Sequence, residues 1–129
     1  MIAFLSFAAA AASMPPPPPT RATIAEVRAN PAQWNGKWVQ LEGWINRCWS
    51  TDCTLAEGLA ARPGNQGQAL AFEAQATFDQ WAKPMLPIRA RVTARVDATC
   101  LIEVCLDRAP HLREMRVEAL QTNLKFPDE

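Results

Sequence analysis

The sequence predicts a mainly β domain, a small five-stranded barrel with an N-terminal helix and a second helix between the third and fourth strands. Four stretches carry that expectation. In residues 35–53, NGKWVQLEGWINRCWSTDC, an Asn35-Gly36 turn leads into a long half-buried strand and a cysteine-closed tip. Glycine takes positive φ without steric cost and asparagine tolerates it, so this pair opens a turn. In residues 88–98, Ile88, Ala90, Val92, Ala94, Val96 and Ala98 alternate with Arg89, Arg91, Thr93, Arg95 and Asp97, the period of a strand with one buried and one wet face. The patterns TIAE at Thr23 and TFDQ at Thr77 read as helix starts that divide the strands into groups.

Taken in order, the chain opens on an export signature. Residues 2–12 are an uninterrupted run of apolar and small side chains ending in Ala10-Ala11-Ala12, the pattern of a signal-peptide core with an A-x-A cleavage site and too short to span a bilayer. Residues 1–12 are therefore expected to be a cleaved signal peptide, with only the α-amino group supplying positive charge ahead of the apolar run. The mature chain, without a transmembrane segment, is expected in the periplasm or secreted. A lipid anchor is not expected, since the first cysteine is Cys48. Residues 13–22 form a Pro-rich linker, in which the five-proline run from Pro15 to Pro19 stiffens the chain into polyproline II. Residues 23–121 are the barrel domain and 122–129 a tail without sustained pattern.

Inside the domain, Thr23 and Glu26 fit a capping box, each side chain satisfying an orphan N–H of a helix whose buried face carries Ile24 and Val27. Asn30-Pro31 stops or kinks that helix, and Trp34 is placed as the anchor that packs it on the barrel. The first strand then sets Val39, Leu41 and Ile45 on one side and Trp38, Gln40, Glu42, Trp44 and Asn46 on the other, with Gly43 marking a bulge or sharp bend. Residues 54–61 are expected as a second strand, residues 62–68 as a loop rich in turn formers, and residues 69–74 as a third strand with Leu70 and Phe72 inward. The helix opened by Thr77 must end near Lys83, before Pro84 and Pro87, with Phe78 and Trp81 on its apolar face. A last strand runs through Met115, Val117 and Ala119, with Glu114, Arg116 and Glu118 outward.

At 129 residues, 49% hydrophobic and 20% charged, the composition is that of one globular domain. Thirteen basic and thirteen acidic residues cancel, so no global field draws the protein to nucleic acid or an anionic membrane. Any polyanion site has to be a local patch.

The order helix, three strands, helix, two strands resembles an OB-fold, a Greek-key barrel of five strands. The stretch TIAEVRANPAQWNGKWVQLEGWI is similar to the opening of small bacterial OB domains related to the tRNA-anticodon-binding type, several of them exported. An SH3-like or other small barrel is the structural alternative. The resemblance implies ligand binding on the second and third strands and adjoining loops. That surface is poor here, because the second strand has no aromatic residue and Phe72 of the third belongs to the core. Trp38, Trp44 and Trp49 instead offer aromatic surface on or beside the first strand. Arg89, Arg91 and Arg95 form an outward stripe, but in an OB barrel the fourth strand lies between the first and fifth. Glu42, Glu114 and Glu118 then stand across from the arginines as ion pairs, worth roughly 0.2–1 kcal/mol each. His111, the only histidine, falls in an expected loop and reads as solvated.

The four cysteines come in two identical spacings, Cys48 with Cys53 and Cys100 with Cys105. Their even number and the export signature favour disulfides. With the first and fourth strands as antiparallel neighbours, Cys48 and Cys100 lie at opposite ends, too far apart to bridge. Two local disulfides, Cys48 to Cys53 and Cys100 to Cys105, are therefore expected to staple loops at opposite ends of the barrel, at about 2 kcal/mol apiece. A four-cysteine zinc site conflicts with the same geometry, and the C-x-x-C signature of redox catalysis is absent.

These readings point to a non-catalytic, exported OB-fold module that binds an unidentified ligand or protein of the cell envelope. Its contact surface would be the Trp38, Trp44 and Trp49 side with the two disulfide loops. No cofactor or metal is expected. The alternative is nucleic-acid or polyanion binding through Arg89, Arg91 and Arg95. A third reading, an enzyme, requires carboxylates such as Asp52, Glu57 or Asp107 gathered in a cleft.

Overall fold

The computed structural model describes residues 18–106 and 109–127. The expected signal peptide, residues 13–17 of the linker and Asp107 lie outside them. The elements are β1 (Thr20–Arg21), α1 (Ile24–Ala29), α2 (Pro31–Trp34), β2 (Trp38–Ile45), β3 (Cys48–Trp49), β4 (Asp52–Ala56), β5 (Ala69–Glu73), α3 (Ala76–Trp81), β6 (Ile88–Val96), α4 (Thr99–Ile102) and β7 (Leu112–Gln121). Short 3-10 turns add Pro63–Asn65 and Lys83–Met85.

Hydrophobic alternation sets the barrel. In β6 every second residue from Ile88 to Val96 is buried, and in β2 Val39, Leu41, Gly43 and Ile45 turn inward. These inner faces meet Leu55, Leu70 and Phe72 in one core, and burying such side chains is the main driving force for folding. β2 pairs antiparallel with β6 and β6 with β7, while β7 meets β5 in parallel at Phe72 and Leu112. β5 pairs antiparallel with β4, and β4 returns to β2 at Trp44 and Ala56. Five strands thus close a barrel, compatible with an OB-like fold. β1 adds a parallel pair to β2, so strand pairing begins at Thr20, within the segment assigned to the linker.

The capping box at Thr23 forms as expected, with the Glu26 N–H donating to Thr23 Oγ1 at 3.1 Å and the Thr23 N–H to Glu26 Oε1 at 3.2 Å. Ile24 and Val27 are buried, and Arg28 Nη1 donates to the Ala69 carbonyl at 2.8 Å, tying α1 to β5. Pro31 ends α1 and also starts α2, where a missing N–H is tolerated. Trp34 packs against the core with Lys37 Nζ 5.7 Å from its ring centre.

Several element boundaries differ from the expectation: β6 ends at Val96 rather than Ala98, which instead caps α4, and β4 and α3 differ as well. The second barrel strand is Asp52–Ala56 rather than residues 54–61, because Cys48 pairs with Cys53 and Trp49 with Asp52 across a tight turn, starting β4 early. Past Ala56 the chain leaves the sheet. Buried Asn46 holds it there, donating through Nδ2 to the Gly58 carbonyl at 3.0 Å and to Gln66 Oε1 at 3.3 Å, and accepting from the Ala60 N–H at 3.3 Å. The helix expected to open at Thr77 opens at Ala76, with Gln75 as N-cap and no side-chain cap bond. Packing sets its phase: Phe78 is buried edge-on against Phe72 with ring centres 5.8 Å apart.

Gly43 is not a bulge, since β2 and β6 stay in register from Trp38 opposite Arg95 to Ile45 opposite Ile88. The irregularities fall instead in the β6–β7 ladder, between Arg89 and Ala90 and between Thr93 and Arg95. Gly43 permits close approach. A Cβ there would lie 2.7 Å from the Ala56 carbonyl oxygen and 3.1 Å from both Ile24 Cδ1 and Leu55 Cγ. Gly43→Ala is therefore expected to destabilise the fold by about 1–3 kcal/mol, read as a lowered midpoint in urea unfolding. An unchanged midpoint would show that β4 and α1 do not close on β2 in this way.

Candidate binding groove

The groove is built from β4, β5 and the two disulfide loops. The Cys48–Cys53 bridge joins residues paired across the β3–β4 hairpin, with Cα atoms 4.3 Å apart. The Cys100–Cys105 bridge closes the segment after β6, with Cα atoms 5.4 Å apart. Both expected pairings are present, and no cysteine is left free as a metal ligand.

Their expected separation is corrected by the structure. Cys53, Cys100 and Cys105 all line one groove of about 790 Å³. The hairpin starts β4 at Asp52, β4 runs beside β5, and β5 ends where β7 begins, at Phe72 opposite Leu112. The first loop is thereby carried to the second.

Thr54 and Ala71, neighbours across β4 and β5, lie on the groove floor, with the Asp52 and Glu73 pair at its margin. Ile102, Val104 and Leu106 form the facing wall. Val104 is 98% exposed, Leu106 is fully exposed and Ile102 more than half exposed. The groove is apolar on one side and acidic elsewhere, with Asp52, Glu73 and Glu103 lining it and, among the described residues, no lysine or arginine.

The base of the second loop is fixed by Asp97. It accepts from the Thr99 N–H at 3.1 Å, from Thr99 Oγ1 at 2.8 Å and from Arg113 Nε at 2.6 Å. The Thr99 hydroxyl first, and Arg113 next, lower its pKa to about 2. His111, expected to be solvated, is half-buried between strands and lines the groove. Its Nδ1 accepts from the Ala71 N–H at 3.0 Å, its own N–H donates to the Ala71 carbonyl at 2.8 Å, and its carbonyl accepts from the Asp97 N–H at 2.8 Å. One residue thus latches β5 to the β6–β7 pair where the barrel closes.

The tryptophans are not brought together. Trp38 and Trp44 are half-buried on the outer face of β2, roughly 20 Å apart along the strand. Trp44 lines a separate cleft with Arg21, Glu57 and Arg89. Trp49, 83% exposed, stands on the hairpin beside Asp52 and nearest the groove. The arginines pair as expected: Arg89 with Glu42 at 3.4 Å, Arg91 with Glu42 at 3.0 Å and Glu118 at 3.3 Å, and Arg95 with Glu114 at 3.3 Å. Asp52 lines the groove whereas Glu57 lines the other cleft, so these two carboxylates do not gather. Ile102, Val104 and Leu106 had no place in the sequence reading. Their signal was an apolar alternation, Ile-Glu-Val-Cys-Leu, at the end of the second cysteine ring and just past it, where the sequence predicts no helix or strand.

No protein-family model, curated protein or solved structure matches this chain. Its class rests on the barrel itself: a closed, disulfide-bridged β-barrel of OB-like architecture.

Burial, then the positive charge of Arg28, lowers the His111 pKa from its ordinary 6.5, against the opposing charge of Asp97. Protonation puts a second N–H against the Ala71 N–H. The stability held by neutral His111 is thus complete above pH 6.5 and is lost as pH falls through the lowered value. Urea unfolding below pH 6.5 is expected to show this decline in the wild type and a flatter profile in His111→Gln. Equal slopes would remove His111 from the account.

Proposed function

We propose that this protein is a non-catalytic binding module of an oxidising envelope compartment, one of the exported bacterial OB domains that its opening stretch resembles, and that it binds an apolar ligand in the groove between its disulfide loops. The carrying observation is the exposed wall of Ile102, Val104 and Leu106 facing a floor of small side chains. Apolar surface left in water at a concave site marks an interaction surface more often than chance. Glu73 and Glu103 favour a ligand that also carries positive charge. Two disulfides fit an oxidising compartment. The arginine stripe does not favour the polyanion reading, because Glu42, Glu114 and Glu118 offset it.

A peptide of apolar residues with one lysine, titrated against tryptophan fluorescence with Trp49→Phe as the control that isolates the hairpin signal, is expected to bind with little dependence on salt. Val104→Asp with Leu106→Asp should abolish binding without loss of fold, since both side chains are exposed. Steeply salt-dependent binding of a single-stranded oligonucleotide, with none of the peptide, would replace this reading with the polyanion one.

Intact mass of protein recovered from its native host tests the compartment. The chain is expected to lack the segment before Ser13 and to weigh four hydrogens less than its reduced form, two for each bridge. An intact N-terminus with four free thiols would overturn the export reading.

A further inference from the structure

The barrel closes between β5 and β7 through a single ladder pair, Phe72 with Leu112. Beyond Leu112, β7 is laddered to β6 alone, and among the described residues no backbone hydrogen bond from residues 113–121 reaches another element. A cavity of about 360 Å³ lies beside this edge, lined by Met115, Arg116 and Val117 on one side and Phe78 and Trp81 on the other. An open strand edge with vacant space beside it is a template for another strand.

Charge on the outer face points to the occupant. Across three adjacent strands, Glu42 of β2 stands opposite Arg91 of β6, and Arg91 opposite Glu118 of β7, with ion pairs at 3.0 and 3.3 Å. This acid, base, acid row ends on a carboxylate at the open edge. The side chain of Arg116, exposed on the same face of β7, makes no ion pair or hydrogen bond among the described residues. We infer that β7 pairs antiparallel with β7 of a second copy of this chain, about a two-fold axis at Val117, so that Arg116 of each copy meets Glu118 of the other.

The alternatives are worse. Among registers that keep the same faces outward, centring on Arg116 opposes the two copies of Arg116 and sets Glu114 of each copy against Glu118 of the other, and centring on Glu118 opposes the two copies of Glu118. Centring on Met115 requires a continuous ladder at Glu114, where φ is 57° and the β6–β7 register breaks. Centring on Val117 uses Arg116–Ala119, the stretch in unbroken register with β6, and extends the charge row by one basic residue on each side. Like charges directly opposite destabilise strand pairing and opposite charges support it. The cavity beside this edge shares Phe72 and Glu73 with the groove, but Arg116, Val117 and Glu118 do not line the groove, and the pairing does not depend on the ligand reading.

Sedimentation equilibrium over a concentration series tests the dimer. The wild type is expected to dimerise, more weakly at high salt. Arg116→Glu and Glu118→Arg, each alone, place like charges opposite and are expected to weaken self-association at least about tenfold. Mixing the two variants restores opposite charges at both contacts, so the mixture should form a heterodimer at near wild-type affinity. Circular dichroism of each variant keeps loss of fold separate from loss of pairing. A wild type that stays monomeric throughout, a dimer indifferent to both substitutions, or folded variants whose mixture is no tighter than either alone would overturn the inference.

Discussion

The close approach at Gly43 is the constraint on which the barrel depends. β2 is laddered to β6 along its whole length, while its other edge passes from β1 at Val39 and Gln40 to β4 at Trp44. At that handover the Ala56 carbonyl, Leu55 and Ile24 converge on the one inward position of β2 without a side chain. The omission of a single Cβ lets β4 close the barrel and α1 settle against it. Every element of the groove is positioned through that closure, since β4 carries the first disulfide loop and its partner β5 meets the β7 strand that follows the second.

The two bridges act on parts of the chain that packing holds least. The segment from Cys100 to Leu106 packs Leu101 against the core but turns three large apolar side chains into water, where burial contributes nothing to ordering them. Beyond Leu101 and the α4 backbone hydrogen bonds to Ala98 and Thr99, its conformation rests on the covalent ring and on the Asp97 contacts to Thr99 and Arg113. A disulfide stabilises chiefly by limiting the unfolded chain, so it orders a loop without requiring that the loop be buried. Apolar side chains can then stay at the surface, held in place and available for contact.

The charged face follows another logic. Ion pairs on an exposed sheet contribute little each, yet the pairing of Arg89, Arg91 and Arg95 with Glu42, Glu114 and Glu118 removes the one strong local field the composition allowed. It leaves Arg116 as the unmatched cation on that face of β7. The arginine stripe therefore reads as sheet chemistry, with its consequence at the sheet edge.

Much of the fold was legible because strand periodicity and capping are local. The alternation of residues 88–96, the Thr23 capping box, the inward Leu70 and Phe72, and the cross-strand ion pairs all follow from neighbours in sequence or from the strand order that the pattern implied. The start of α3 escaped the same reasoning, because Phe78 packing on Phe72 outweighed the Thr77 cap signal. His111 escaped it as well: its partner, the Ala71 N–H, is forty residues away, and nothing in its own neighbourhood marks it as a latch. The amino-acid pattern alone determined the mainly β barrel, its core faces and its two local cysteine rings. The meeting of those rings at one groove, the scattering of Trp38, Trp44 and Trp49, and the open edge of β7 were decided by barrel closure, because distances between segments remote in sequence depend on how strands coil around a shared core.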